Sequence, residues 1–369
     1  MEKMKVGLIG CGNISSIYFE NCTTFEHFEL VGCADLDFKR TKAQAERFNV
    51  KAYTIEEILE DKEIEVIVNL TIPKAHAQVC MQVLQANKHV FTEKPLTVTR
   101  EEGIQLIKLA EEKNLRIGSA PDTFLGGGIQ TAIHLINQNE IGTPIGVTAS
   151  MMSRGHEHWH PNPDFYYENG GGPMFDMGPY YLTALVSMLG PIKRIASSAR
   201  ISFPKRTITA GQNPRTLTVH TPTHISGIID FESGVMGNMT TSFDIFGGST
   251  LPKIEVYGEK GTMLVPDPNT FDGPVLIRKR DDHQFNQVPL THRYTKNSRG
   301  IGLADMIEAI QQKRNHRANE TLAYHVLDAM HGFLDASREG AYYHLNSTCE
   351  KPEAFPLHYQ FPTKKEKML

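Results

Sequence analysis

Residues 6–15 read VGLIGCGNIS, an apolar strand that runs directly into a glycine turn. Gly10 and Gly12 occupy the first two positions of the pattern G-x-G-x-x-G, and Ser15 stands at the third. The first glycine permits a tight turn, and the second lets backbone N–H groups approach a phosphate at the N-terminus of the next helix. Ser15 departs from the pattern but is small enough for close packing. A plain strand, turn and helix is the alternative to a nucleotide site.

The residues that follow this turn favour the nucleotide site. Apolar residues recur at helical spacing over residues 14–25, and a second predicted strand, residues 28–34, ends in Asp35. Asp35 lies close to the distance, about 20 residues beyond the turn, at which a carboxylate binds the ribose of a dinucleotide. That carboxylate repels a 2′-phosphate and favours NAD, whereas Lys39 and Arg40 could pair with such a phosphate and admit NADP.

The composition of the chain is that of a globular protein with two domains. It has 369 residues, of which 40% are hydrophobic and 22% are charged. The net charge of -4 argues against a nucleic acid or an anionic membrane as the main partner. Residues 1–5 leave no room for a signal peptide, and no apolar run is long enough to span a bilayer. We therefore expect a cytoplasmic protein, with its five cysteines reduced and structural.

Strands and helices alternate through the first third of the chain, which is typical of a parallel sheet with right-handed crossovers. Capping boxes that begin two of the helices are formed by Thr54 with Glu57 and by Thr99 with Glu102. We predict a doubly wound α/β domain, in which ligands lie at the carboxyl ends of the strands. The residues predicted to bind the nucleotide at this edge are Gly10, Gly12, Asn13, Ile14, Asp35, Arg40, Thr71, Pro73, His76, Glu93 and Lys94.

The pattern changes after residue 121. Residues 145–151 alternate between apolar and polar, and residues 192–280 contain β-branched runs separated by Gly, Pro, Asn and Asp. This order indicates an α+β domain whose open, mostly antiparallel sheet has helices on one face. We predict a nucleotide domain over residues 1–121 and a substrate domain over residues 122–369. Because the open face of the sheet needs cover, we also predict a homodimer or homotetramer.

Lys94 is the first candidate for chemistry, because it follows a strand end and stands between Glu93 and Pro95. A partly desolvated ammonium can shift its pKa and bind a substrate oxygen from which a proton leaves as hydride departs. An ordinary surface charge is the alternative.

Asp176 and Tyr180 are the second candidates. They follow the glycine run 170–172 and are four residues apart, so they share one face of a helix. Tyrosine can donate or accept a proton, and aspartate can orient the tyrosine or the substrate. The alternative is that Asp176 caps the helix and Tyr180 fills the core.

Residues 154–161 read RGHEHWHP, a segment in which three histidines alternate. The spacing fits neither of the common zinc patterns, so we predict no metal. An aromatic ring and neutral imidazoles suit a polyhydroxylated sugar, whereas a solvated loop is the alternative. The residues predicted to bind substrate are Asp122, Phe124, His156, His158, Trp159 and Tyr180.

These stretches together resemble the glucose-fructose oxidoreductase, inositol dehydrogenase and rhizopine-catabolism (Gfo/Idh/MocA) family. The resemblance rests on GLIGCG at 7–12, AD at 34–35, TIPKAH at 71–76, EKP at 93–95, IGTP at 141–144 and GGGPMFDMG at 170–178. It implies a Rossmann-type first domain, a catalytic Lys94 followed by a cis peptide bond, and a site completed by Asp176 and residue 180. Many members carry histidine at that last position, where this chain has Tyr180. We therefore expect Tyr180, assisted by Lys94, to act as the acid and base.

The expected function is that of an NAD(P)-dependent dehydrogenase acting on a hydroxyl carbon of a sugar or cyclitol. Two alternatives are an enzyme that uses NAD transiently for oxidation and elimination on a glycoside, and a non-catalytic sensor of nucleotide and sugar. By family analogy His76 lies near the nicotinamide, and a satisfied helix histidine is the other interpretation.

Overall fold

The computed structural model describes residues 3–211 and 214–364. Its strands are β1 (Met4–Ile9), β2 (Phe28–Ala34), β3 (Lys51–Ala52), β4 (Val66–Asn69), β5 (His89–Thr92), β6 (Ile117–Ser119), β7 (Pro144–Met152), β8 (Ile192–Arg200), β9 (Lys205–Ile208), β10 (Arg215–Thr218), β11 (His224–Phe231), β12 (Met236–Ser242), β13 (Ile254–Gly258), β14 (Gly261–Val265), β15 (Val275–Lys279), β16 (Asn286–Val288) and β17 (Tyr343–His344). Its α-helices are α1 (Ser15–Cys22), α2 (Phe38–Phe48), α3 (Ile55–Glu60), α4 (Pro73–Gln85), α5 (Arg100–Lys113), α6 (Gly127–Asn137), α7 (Gly172–Leu189), α8 (Ile301–Gln312) and α9 (Glu320–Glu339). Short 3-10 helices lie at Thr123–Leu125 and Asp164–Tyr167.

Two compact units divide the chain, and each is built from separate segments. Within the described residues, the first unit holds the chain up to Leu125, Lys296–Tyr324 and the part from Phe355 on. The second unit holds Gly126–Thr295 and His325–Ala354. The first boundary lies close to the predicted division after residue 121, and two later segments of the predicted substrate domain belong to the first unit.

The first unit contains a six-stranded sheet with the strand order β3-β2-β1-β4-β5-β6. All of its strand pairs are parallel, which confirms the predicted doubly wound α/β architecture. Every residue of β4 is buried, as expected for a strand that is covered on both faces. The predicted capping boxes are also confirmed at the starts of α3 and α5.

The second unit contains a nine-stranded sheet with the order β16-β15-β14-β13-β7-β12-β11-β8-β17. Its pairs are antiparallel except for β7 with β12, so the prediction of a mostly antiparallel sheet is confirmed. Helix α7 packs on β7, β11 and β12, and its apolar side chains are buried almost throughout. The hairpin of β9 and β10 forms a separate two-stranded sheet.

The cysteines are free and buried, in agreement with the prediction of structural thiols. In the part of the chain that the structure describes, no helix has the length and apolar character needed to cross a bilayer.

Candidate functional site

The glycine turn after β1 leaves space for a phosphate at the start of α1. Gly10 has a φ of 105°, and a Cβ atom there would lie 2.6 Å from the backbone carbon of Leu70. Only glycine fits that position without strain. At Gly12, by contrast, a built Cβ has no heavy atom within 4 Å among the described residues other than its two chain neighbours. This open space lies beside the N-terminus of α1, whose backbone N–H groups can bind an anion such as a phosphate.

Asp35 is held beside the glycine turn by backbone hydrogen bonds. Its Oδ2 accepts from the N–H of Cys11 at 2.7 Å, and its Oδ1 accepts from the N–H of Asp37 at 2.8 Å. The half-exposed carboxylate is therefore fixed at the end of β2, where it can accept from ribose hydroxyls. Arg40 is exposed and faces Asp37, with 3.5 Å between Nε and Oδ2. This arrangement fits NAD better than NADP.

Lys94 lies in a turn after β5 that backbone groups hold in place. The Lys94-Pro95 peptide bond is cis, as the resemblance implies. Glu93 uses Oε2 to accept from the N–H of Lys94 at 3.0 Å and Oε1 to accept from the hydroxyl of Tyr18 at 2.9 Å. The Lys94 side chain is partly exposed.

His76 supports this turn as a buried helix histidine. Its Nδ1 lies 2.7 Å from the carbonyl oxygen of Pro95, and its Nε2 lies 3.0 Å from that of Thr71. Burial lowers the pKa of His76, and the two backbone carbonyls that face its ring oppose this shift. Both nitrogens face backbone oxygens, which fits the interpretation as a helix histidine that supports the turn. Its proximity to the nicotinamide stays a prediction.

Asp122 and Phe124 occupy positions without room for a substrate, in contrast to the predicted contacts. The Oδ2 of Asp122 accepts from the N–H groups of Gly300 at 2.8 Å and Gly302 at 3.1 Å, at the start of α8. Both side chains are about 1% exposed, and burial raises the pKa of Asp122 to about 6. Sequence reasoning missed this structural role because Gly300 is 178 residues away along the chain.

Asp176 lies inside helix α7, which begins in the glycine run. Gly171 is the N-cap and Gly172 the first helical residue, so the alternative that Asp176 caps the helix is wrong. Tyr180 follows one turn later on the same face and is 8% exposed.

The second unit has a pocket that collects several predicted site residues. Its volume is about 440 Å³, and its lining includes His156, His158, Trp159, Asp176, Met177 and Lys253. This size lies within the range of small-molecule sites. Tyr180 is not among the residues that line the pocket. The Nε2 of His156 lies 3.3 Å from Oδ2 of Asp176, a pairing that no motif in the sequence indicates.

A buried ion-pair cluster anchors the histidine segment at Glu157, whereas His158 and Trp159 in the same segment are exposed to solvent. Arg206 is 2% exposed and binds the carboxylate of Glu157, and its Nη1 lies 2.6 Å from Oδ1 of Asp244. The hydroxyl of Tyr167 donates to Oε2 of Glu157 at 2.6 Å. Residues 3–211 and 214–364 contain no group of three or more His, Cys, Asp or Glu that is arranged to hold a metal.

Replacement of Gly10 by alanine is expected to reduce stability, whereas replacement of Gly12 is expected to reduce NAD affinity. Gly10→Ala lowers the free energy of unfolding, by about 1–3 kcal/mol from the backbone conformation alone, because of the positive φ and the contact with Leu70. Gly12→Ala keeps the wild-type unfolding free energy but weakens NAD binding, since its methyl group occupies the phosphate space. Urea unfolding and calorimetric titration with NAD measure the two effects. Wild-type affinity for NAD in Gly12→Ala would contradict the assignment of the phosphate site.

Two family models match the chain. Residues 4–120 match the GFO/IDH/MocA oxidoreductase family with an NAD-binding Rossmann fold, and residues 129–264 match the GFO/IDH/MocA C-terminal domain. The first match confirms NAD as the cofactor of the family fold.

Curated relatives and solved structures agree with these models. An uncharacterized oxidoreductase of Schizosaccharomyces pombe is 29% identical over 200 residues, 52% of this chain and 53% of that protein. Inositol 2-dehydrogenase of Salmonella typhimurium is 25% identical over 273 residues, 71% of this chain and 74% of that protein. An NAD binding oxidoreductase from Klebsiella pneumoniae shares the fold with a TM-score of 0.81 at 18% identity, over 93% of this chain and 99% of that one. Levoglucosan dehydrogenase in complex with NADH and levoglucosan gives 0.79 at 17% identity, over 94% and 100%.

Proposed function

Because the chain belongs to the Gfo/Idh/MocA family of NAD-binding oxidoreductases, we propose that it is an NAD-dependent dehydrogenase of a sugar or cyclitol. The observation that carries this proposal is the pocket in which Asp176, His156, His158 and Trp159 meet. The carboxylate of Asp176 and the exposed imidazole of His158 can bind hydroxyls, and the flat indole ring of Trp159 suits the C–H face of a sugar. The names of two similar proteins, inositol 2-dehydrogenase and levoglucosan dehydrogenase, agree with this substrate class.

The proposed roles of the side chains follow from the proton that the reaction releases. Bound NAD supplies the hydride acceptor. We assign to Lys94 the binding of the substrate oxygen, and to Lys94 and Tyr180 the acceptance of its proton. Asp176 orients the reacting hydroxyl, because its carboxylate lies at the wall of the pocket.

One observation favours a second candidate, in which NAD is used only transiently. Oxidation at one carbon makes the proton on the neighbouring carbon more acidic, so a base can remove it and expel a glycosidic group before the cofactor is regenerated. His158 is exposed and lines the same pocket, where it offers such a base.

The outer face of the nine-stranded sheet supports the proposal of a homodimer or homotetramer. Ile228 of β11 and Met236 of β12 are 47% and 64% exposed within one chain. Covering these apolar side chains with a second copy removes them from water.

The first experiment measures NADH or NADPH formation with purified protein, each nucleotide separately, and a panel of aldoses, ketoses, cyclitols and glycosides. We expect net NADH formation with one class of sugar or cyclitol. Consumption of a glycoside without net NADH would establish the second candidate instead. A protein that binds NAD by calorimetry but consumes no member of the panel would contradict both.

A further inference from the structure

His156 and Asp176 form a contact between the histidine segment and helix α7. The distance from Nε2 to Oδ2 is 3.3 Å, and the two side chains are 12% and 13% exposed. Both residues line the same pocket. A neutral imidazole with its proton on Nε2 donates a hydrogen bond to the carboxylate in this arrangement.

Aromatic rings fix the orientation of the imidazole. His156 stacks on Tyr166 with 3.8 Å between ring centroids and 10° between ring planes. Phe243 meets the same ring edge-on, at 4.7 Å and 80°. Nδ1 is buried, and none of the described residues forms a hydrogen bond with it. The polar interaction of this ring is therefore made through Nε2.

The backbone of His156 is anchored as firmly as its ring. Its N–H donates to the hydroxyl of Tyr167 at 3.3 Å, and that hydroxyl donates to Glu157 in the Arg206 cluster. The buried ion pair next to His156 restricts the motion of the histidine segment. The titratable and charged groups around the pair include those of its own segment and of the Arg206 cluster, namely Arg154, Glu157, His158, His160, Tyr166, Tyr167, Arg206 and Asp244. Tyr181, Lys253 and Asp267 line the same pocket from other elements.

We propose that His156 is a positioning residue for Asp176. Its Nε2–H holds Oδ2 of the carboxylate and keeps Asp176 ionised and oriented toward the pocket. A carboxylate that accepts a hydrogen bond favours its charged form. This inference rests on the proposed function, in which Asp176 orients the reacting hydroxyl.

Two substitutions at His156 separate the hydrogen bond from the ring stacking. His156→Phe keeps an aromatic ring against Tyr166 but removes the N–H group, whereas His156→Gln removes the ring and keeps an N–H donor. We expect His156→Phe to lower kcat about 10- to 100-fold with little change in KM, as for loss of a hydrogen bond to a charged group. The acidic limb of its pH–rate profile moves to higher pH, because the carboxylate is then easier to protonate. His156→Gln retains most of kcat.

A matched control is His283→Phe, which changes an exposed histidine of the same unit and keeps wild-type kinetics. Wild-type kcat in His156→Phe would overturn the proposal. An equal loss in His156→Phe and His156→Gln would overturn it too, because the ring and not the N–H would then matter.

A measurement without turnover tests the pair even if no sugar of the panel is oxidised. ¹⁵N NMR of the histidine rings should show His156 mainly as the tautomer protonated on Nε2, and Asp176→Asn should weaken that preference. A wild-type mixture of tautomers that Asp176→Asn leaves unchanged would overturn the positioning role. Turnover with wild-type behaviour of His156→Phe would overturn the role and leave the proposed function intact.

Discussion

Lys94→Ala lowers kcat for hydride transfer by about 10²–10⁴-fold, the range that general acid–base catalysis contributes. The substitution removes chemistry more than structure, because backbone groups hold the turn. The N–H of residue 94 still donates to Glu93, and the carbonyl of Pro95 still faces His76. We therefore expect NAD to bind Lys94→Ala with nearly the wild-type Kd.

Stopped-flow measurement of NADH formation and calorimetric titration with NAD check the two parts of this prediction. Lys108→Ala, at an exposed position of α5, is the matched control and keeps wild-type kcat. Wild-type turnover in Lys94→Ala would remove Lys94 from the mechanism.

Arg206→Met produces the largest expected loss of stability. The guanidinium lies between Glu157 and Asp244 and donates also to the carbonyl oxygens of Arg154 and Phe243. Its removal leaves two buried carboxylates without their counter-charge. Breaking a buried ion pair from one side typically costs about 3–5 kcal/mol of unfolding free energy.

Arg215→Met is the matched control, since Arg215 lies on the other strand of the same hairpin. It pairs with Asp164, but both side chains are more than 40% exposed. Solvent screens that pair, so we expect a loss of less than about 1 kcal/mol. Urea unfolding followed by the fluorescence of Trp159, the single tryptophan, measures both variants. Equal losses in the two variants would show that the Arg206 cluster does not stabilise the histidine segment.

The first unit could be predicted well from the sequence because its signals are local. Apolar strands, the glycine turn of residues 10–12 and the capping box of Thr54 with Glu57 each specify a short stretch of backbone without reference to distant residues. Fewer features of the second unit could be predicted from the sequence. Strand β14 follows β13 closely and has no alternating pattern, and α7 begins at Gly172 although glycine is a poor helix former.

Some features of the candidate site could be predicted from local motifs, whereas others depend on contacts between distant residues. Lys94 and Asp176 stand in motifs that the sequence shows directly. The contact of His156 with Asp176 depends on how the segment is anchored by Arg206, which lies on a later strand. The role of Asp122 depends on Gly300 in the same way. Tertiary packing decides these partners, and a single sequence carries no periodicity that reveals them.

Because the first unit is built from separate segments of the chain, some of its contacts can form only after much later residues have been synthesised. Strand β6 is completed by residues made much later, because Ala318 accepts from the N–H of Ser119 and the ring of His316 lies 3.0 Å from the carbonyl of Ile117. Until α8 emerges, the carboxylate of Asp122 lacks the amides that receive it in the finished fold. A nascent chain that stops after residue 125 lacks these contacts, so the edge of β6 is open and the carboxylate of Asp122 has no α8 amides to accept from.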